Sequence, residues 1–183
     1  FEAWPQIVNE APIIHYMTGG QTKVPVIFHA LVGIRGSGAQ HSARPQGMLM
    51  QVPGLQIIAP AVATDMKSMI QDVLDSERPT FWIDHALLIP ERWQIPDLSI
   101  RLPLGKARVI RSGTDVTLVG YSIDLIRALK AASQLAQEGI EAEVVDLRTL
   151  APLDRDTVLN SVAKTGRLVV ADECSPACSV ASE

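Results

Sequence analysis

VTLVGYSIDLIRALKAASQLAQEGIEAEVVDLRTLAPLDRDTVLNSVAKTGRLVVA, Val116–Ala171, decides the fold. Three short runs rich in branched apolar residues read as strands: Val116–Tyr121, Glu143–Leu147 and Leu168–Ala171. Between the first two, Asp124 caps a helix running to Glu138. Its apolar stripe is Leu125, Ala128, Leu129, Ala132, Leu135 and Ala136, and Gly139 suits a left-handed end. Between the second and third, Asp154 caps a helix through about Thr165, with Val158, Leu159 and Val162 inward and Gly166 as terminator. The order is βαβαβ. Such units make parallel sheets with right-handed crossovers.

Working upstream, Leu88–Leu104 carries Pro90, Pro96 and Pro103 without a clean period. It reads as an extended linker, and the domain boundary falls there, giving units 1–98 and 99–183. The first unit has its own strands: Val24–Ala30, apolar on both faces as buried parallel strands are, then Leu55–Ala59 and Thr80–His85. Thr64 caps a helix to Ser76 with Met66, Met69, Ile70, Val73 and Leu74 as its stripe, and Met48–Val52 forms a short helix. Trp4–Met17 has helical spacing, with Pro12 expected to kink or interrupt it. The expectation is an α/β protein of two doubly wound, mostly parallel three-layer α/β/α units.

The chain has 183 residues, 47% of them hydrophobic, and a net charge of −4 with both signs interspersed. That balance gives no reason to expect nucleic acid or a membrane surface as partner. No apolar run reaches the roughly 20 residues that span a bilayer. The two cysteines, Cys174 and Cys178, lack a second pair and read as ordinary thiols, so no metal is assigned to them.

The stretch with chemical promise is Gly33–Gly47, GIRGSGAQHSARPQG, between two apolar strands. Loops at strand ends of open α/β sheets are where ligands sit. His41 in its middle can hold or deliver a proton near neutral pH, and Gln40 and Ser42 flank it. From composition alone, an ordinary surface loop is the competing reading. His15, His29 and His85 are assigned no role. There is no P-loop, H-E-x-x-H or G-x-S-x-G, and Gly36-Ser37-Gly38 completes no dinucleotide fingerprint.

YMTGGQTKVPVIF (Tyr16–Phe28), AQHS (Ala39–Ser42) and PGLQIIAP (Pro53–Pro60) resemble the β subunit of the thiamine-dependent 2-oxoacid dehydrogenase E1 component, the pyruvate dehydrogenase type. So do GKARVIRSGTDVTLVGYS (Gly105–Ser122), EVVDLRTLAPLD (Glu143–Asp154) and KTGRLVVADE (Lys164–Glu173), in the same order along nearly the whole chain. The resemblance implies transketolase-like pyrimidine-binding and C-terminal domains. It implies thiamine diphosphate with Mg2+, bound mainly with an α subunit in an α2β2 heterotetramer. A small 2-oxoacid, pyruvate by default, is then the substrate, and a lipoyl-bearing E2 acyltransferase takes the acyl group. It places His41 at the active-site channel, in bacterial cytoplasm or mitochondrial matrix.

The resemblance also implies sequence on both sides of this chain, including the glutamate that activates the aminopyrimidine ring. The chain alone is therefore expected not to make a complete cofactor site, and no cofactor-binding residue is assigned. Many members hold a structural K+ where the Thr64–Ser76 helix ends, and Ser76 stands at the position of its aspartate, with Asp75 beside it. After AQHS the family continues with Gln, Ser and soon Glu-Ala. Here it reads Ala43-Arg44-Pro45-Gln46-Gly47, and His29-Ala30-Leu31 replaces a typical Arg-Gly-Pro. Transketolase-like or deoxyxylulose-phosphate-synthase-like transferases share the implied fold. A non-catalytic assembly subunit is the reading from outside enzymes.

Overall fold

The computed structural model describes residues 2–93 and 102–183. It has two four-stranded mixed sheets. The first holds β1 (Ile27–Val32), β2 (Gln56–Ile58), β3 (Thr80–His85) and β7 (Thr149–Ala151), in the order β1-β3-β2-β7. The second holds β4 (Arg108–Arg111), β5 (Val116–Gly120), β6 (Ala142–Asp146) and β8 (Leu168–Val170), in the order β4-β6-β5-β8. β1, β3 and β2 run parallel, as do β6, β5 and β8. β7 and β4 are antiparallel edge strands.

The βαβαβ reading of the second unit holds. Helix α4 (Ser122–Gln137) links β5 to β6, and α5 (Arg155–Thr165) leads to β8. Because β6 and β8 lie on opposite sides of β5, right-handed crossovers put α4 and α5 on opposite faces. Alanines Ala128 and Ala132 let α4 sit close to Val144 and to Ala61 and Val62 of the first unit, in one apolar cluster. A larger cluster joins Ile57, Phe81 and Ile83 of the first sheet to Val119, Val145 and Leu150 of the second unit.

Several elements depart from expectation for identifiable reasons. The Trp4–Met17 segment is a π-turn (Gln6–Glu10) followed by α1 (Ala11–Met17). Pro12 sits in the first turn of α1, where no backbone N–H is needed. Helix α2 covers Gln46–Met50, beginning earlier than expected. Helix α3 (Ala63–Asp75) follows Val62, and its start has no side-chain cap, so Thr64 does not cap it. Only Met69 and Val73 of its stripe are buried. Ile70 and Leu74 face outward, while Asp65 and Ser68 take inward positions.

Helix α4 starts at Ser122, so Asp124 lies in its first turn rather than capping it. Asp154 does cap α5, accepting from Thr157 N at 3.3 Å, and Gly166 ends it at φ +70°. Leu159 is exposed, because the inner face of α5 is polar. Ser161 and Thr165 hydrogen-bond Thr117 at 2.8 and 2.7 Å, and Ser161 donates to Glu143 at 2.6 Å.

Two strands were not read from the sequence. β4 pairs with β6, and β7 leaves the second unit to extend the first sheet beside β2. The proposed boundary at 98/99 lies outside the described residues. Among the described residues, no helix is long and apolar enough to cross a membrane.

Candidate functional site

The carboxyl ends of β1, β3, β5 and β8 open toward one region, and the Gly33–Gly47 loop spans it. Parallel strands carry ligands at this end because loops there can differ while the sheet stays fixed. The loop leaves β1 at Gly33, makes a single 3-10 turn over Ala39–His41, and re-enters a helix at Gln46. Gln40 and His41 are exposed, and Ser42 is half-buried. Ser42 closes the turn, its N–H donating to Ala39 O at 3.1 Å and its hydroxyl to Gly38 O at 2.8 Å. The three residues expected at the site are therefore adjacent on one turn. The His41 ring stands in solvent at its tip, open to a ligand.

The loop is fixed at both ends. At its start, Gly33 N–H donates to Ala43 O at 3.1 Å, pinching the loop shut. Gly33 has φ +95°, and a Cβ there would lie 1.9 Å from His85 Nε2. Only glycine lets the backbone pass so close to that imidazole. At its end, Arg44 donates to Glu173 O, and Gln46 Nε2 donates to Tyr121 OH at 3.1 Å. A Cβ on Gly47 would lie 1.7 Å from Cys178 O, so the turn after β8 packs directly on the loop's exit.

Behind Gly33 lies a buried polar cluster that sequence reasoning missed. His85 ends β3 with its side chain 2% exposed. Its Nδ1 accepts from Leu87 N–H at 3.1 Å, so the ring proton is on Nε2, which donates to Glu173 Oε1 at 2.9 Å. Glu173 Oε2 meets Arg127 Nη1 at 3.3 Å, and Arg127 also pairs with Asp124 at 2.6 Å. Asp124 accepts Glu173 N–H at 3.0 Å. Asp124, read as a helix cap, instead ties the start of α4 to the turn after β8. The available signal was position: Asp84-His85 and Asp172-Glu173 both sit at strand carboxyl ends.

Tyr121 donates to Asp172 Oδ1 at 2.7 Å, and its phenol is pushed well above the usual range, by burial first and by the nearby Cys174 next. Burial pushes the Cys174 thiol up to about 12, so it is held as a thiol and is a poor nucleophile. A depression of about 700 Å3, lined by Pro12, Tyr16, Pro53 and Pro79 among others, lies at the amino ends of β1 and β3, on the side away from the loop.

Among the described residues, no group of three or more His, Cys, Asp or Glu could hold a metal ion. At the end of α3, Ser76 Oγ lies 2.8 Å from Val73 O and 2.9 Å from Gln56 Oε1, with one proton to share between them, and Thr80 donates to the same Gln56 oxygen at 3.2 Å. Asp75 is engaged with Gln71 on the surface. Where the resembled family has an aspartate, Ser76 offers a neutral hydroxyl, and we assign no K+ there.

The sequence matches two family models in tandem, the transketolase pyrimidine binding domain over residues 1–90 and the transketolase C-terminal domain over residues 105–183. These define the class: the chain belongs to the transketolase-like α/β proteins. Within that class its curated relatives include subunits named pyruvate dehydrogenase E1 component beta. It is 42% identical over 97% of its length to the acetoin:2,6-dichlorophenolindophenol oxidoreductase subunit beta of Cupriavidus necator, covering 53% of that protein. It is 41% identical over 100% of its length to the mitochondrial pyruvate dehydrogenase E1 component subunit beta-1 of Arabidopsis thaliana, covering 52%. The chain thus spans about half the length of these curated relatives. A solved split-gene transketolase, described as an inactive beta4 tetramer, superposes with a TM-score of 0.82 at 30% identity, over 99% of this chain and 56% of that one.

Proposed function

We propose that this chain is part of the β subunit of a thiamine-dependent 2-oxoacid dehydrogenase E1, acting on pyruvate or a related 2-oxoacid and passing the acyl group to lipoamide. The observation that carries the proposal is the similarity to pyruvate dehydrogenase E1 β subunits along the whole chain, 41% over its full length in one case. Its working partners are an E1 α subunit, in an α2β2 assembly, and a lipoyl-bearing E2 acyltransferase. Relatives that include a mitochondrial protein favour bacterial cytoplasm or mitochondrial matrix as its location.

Thiamine diphosphate, held with Mg2+ mainly by the α subunit, supplies the carbanion and electron sink. This chain supplies position and proton control. The loop presents His41 on a 3-10 turn, and hydrogen bonds at Gly33 and Arg44 tie the backbone on either side of it. From there it can hold a proton against a substrate oxygen, or deliver one to the lipoyl sulfur released as thiolate when the incoming disulfide opens to take the acyl group. Arg44 contributes a cation beside the loop where the family has none. Its contact with Glu173 O directs it to the C-terminal domain rather than to the turn bearing His41.

A panel assay tests the reading. The subunit, made as in its native source and assembled with an E1 α subunit and thiamine diphosphate, is given pyruvate, a branched-chain 2-oxoacid, acetoin, and a ketose–aldose pair. Turnover of either 2-oxoacid with a lipoyl acceptor supports the proposal, whereas turnover of acetoin alone, which has no carboxylate to lose, overturns its 2-oxoacid substrate. Ketol transfer alone overturns it in favour of a transketolase, the second reading that the solved split-gene structure keeps in play. Assembly without any turnover makes the chain a structural subunit.

A further inference from the structure

We infer that Glu173 is the positioning residue of the His41 loop, acting through His85 and Arg127 from the C-terminal domain. The inference rests on the proposed site but concerns which residues hold it in place. Glu173 is where three other stretches meet. Its carboxylate accepts from His85 at the end of β3 and pairs with Arg127 of α4. Its backbone oxygen accepts from Arg44 of the loop, and its N–H donates to Asp124. A missing Cβ on Gly33 is what admits the loop to this cluster: a methyl there would lie 1.9 Å from His85 and 2.8 Å from Glu173 Oε1.

The arrangement has a direction. Leu87 N–H occupies Nδ1 of His85, so the ring is neutral and can offer only Nε2–H. Only an acceptor at the position of Glu173 Oε1 satisfies that proton, because the ring is buried. The second carboxylate oxygen is taken by Arg127, which Asp124 holds in turn. The side chain of Glu173 therefore has one geometry. That geometry sets the ring against which Gly33 packs, and hence where the loop begins. Arg44 on the same residue's backbone sets where the loop ends. Both anchors of a loop in the pyrimidine-binding half thus depend on one residue of the C-terminal half. The position of His41 is coupled to the docking of the two domains.

Glu173→Ala removes the acceptor. Glu173→Gln keeps one acceptor oxygen for His85 Nε2–H while dropping the charge toward Arg127. Arg44→Ala removes the exposed loop anchor without touching the buried cluster. Two readouts need no catalytic activity. NMR of the His85 Nε2–H proton reports its exchange with water, and trypsin reports loop opening at Arg35.

In the unaltered protein we expect the His85 Nε2–H proton to be held against Glu173 and protected from exchange. In Glu173→Ala that proton exchanges faster, while Leu87 N–H still keeps it on Nε2, and cleavage after Arg35 rises on the order of tenfold, as a loop with a lost anchor opens more often. Glu173→Gln restores most of both protections. Arg44→Ala raises cleavage and leaves the Nε2–H proton protected. Unchanged exchange and unchanged cleavage in Glu173→Ala overturn the inference. If Glu173→Ala does not fold, failure of Arg44→Ala to raise cleavage overturns it instead. Lack of 2-oxoacid turnover in the assembled unaltered enzyme would remove the E1 reading and leave these two readouts standing.

Discussion

Arg148 Nε lies 3.2 Å from Asp65 Oδ1, and the side chains are 0% and 4% exposed. Asp65 is in the first turn of α3, and Arg148 is in the bend between β6 and β7, so this pair joins the two halves of the chain. Arg148 also donates to Lys106 O at 2.9 Å and Leu102 O at 3.3 Å. Arg108 pairs with Asp65 at 2.8 Å from its other side. Removing one member of such a pair leaves an uncompensated buried charge. Arg148→Met should therefore lower stability by about 3–5 kcal/mol, read as a fall in the urea midpoint. A loss below about 1 kcal/mol would mean that the apolar contacts alone hold the halves together.

Asp146 sits beside that pair, wholly buried, and its carboxyl is pushed up to about 7, first by burial and then by the Asp65 charge. Unfolded, it titrates near 4. Between these values the native state binds the extra proton, so this group's contribution to stability falls as pH rises from about 4 to about 7. Asp146→Asn should remove that slope. Urea midpoints of both proteins across this range check it, and parallel curves would place the titration elsewhere.

Gly33→Ala should be far worse than Gly36→Ala. Both glycines have positive φ, +95° and +79°, but an added Cβ meets His85 at the first and nothing within 4 Å at the second. Strain alone costs Gly36→Ala about 1–2 kcal/mol, whereas overpacking adds about 1–3 kcal/mol at Gly33. Thermal or urea unfolding measures both. Equal losses would show that the His85 cluster yields easily.

The helix starts make a paired prediction. Asp154→Ala loses the bond from Thr157 N–H and also strands Ala107 N–H, which Asp154 accepts at 3.0 Å. It should cost about 1–2 kcal/mol. Thr64→Ala should change stability by less than about 0.5 kcal/mol, because the start of α3 has no side-chain cap. Similar losses at the two positions would contradict the geometry.

That contrast shows what was legible. Periodicity and turn residues placed β3, α5 and the βαβαβ order, because each depends on local spacing. Sequence spacing could not show that the inner face of α5 is built on Ser161 and Thr165, since their partners, Thr117 and Glu143, are 18 to 48 positions away. β7 escaped for the same reason: three residues pair with β2 from the far half of the chain. At the site, the loop and His41 were visible as glycine around an imidazole. The His85–Glu173 bond spans 88 positions and left no local trace. Asp124 was misread as a cap because a carboxylate near a helix start looks the same whether it meets the helix or a distant arginine.

The central claim is that His41, on its anchored loop, serves 2-oxoacid turnover. The most direct measurement is release of carbon dioxide from pyruvate and the competing 2-oxoacids by the subunit assembled with its α partner, with and without His41→Ala. We predict that the variant assembles normally and loses about two to four orders of magnitude of turnover, the range for a positioned proton-transfer group. Unaltered turnover in a normally assembled His41→Ala enzyme would contradict the account.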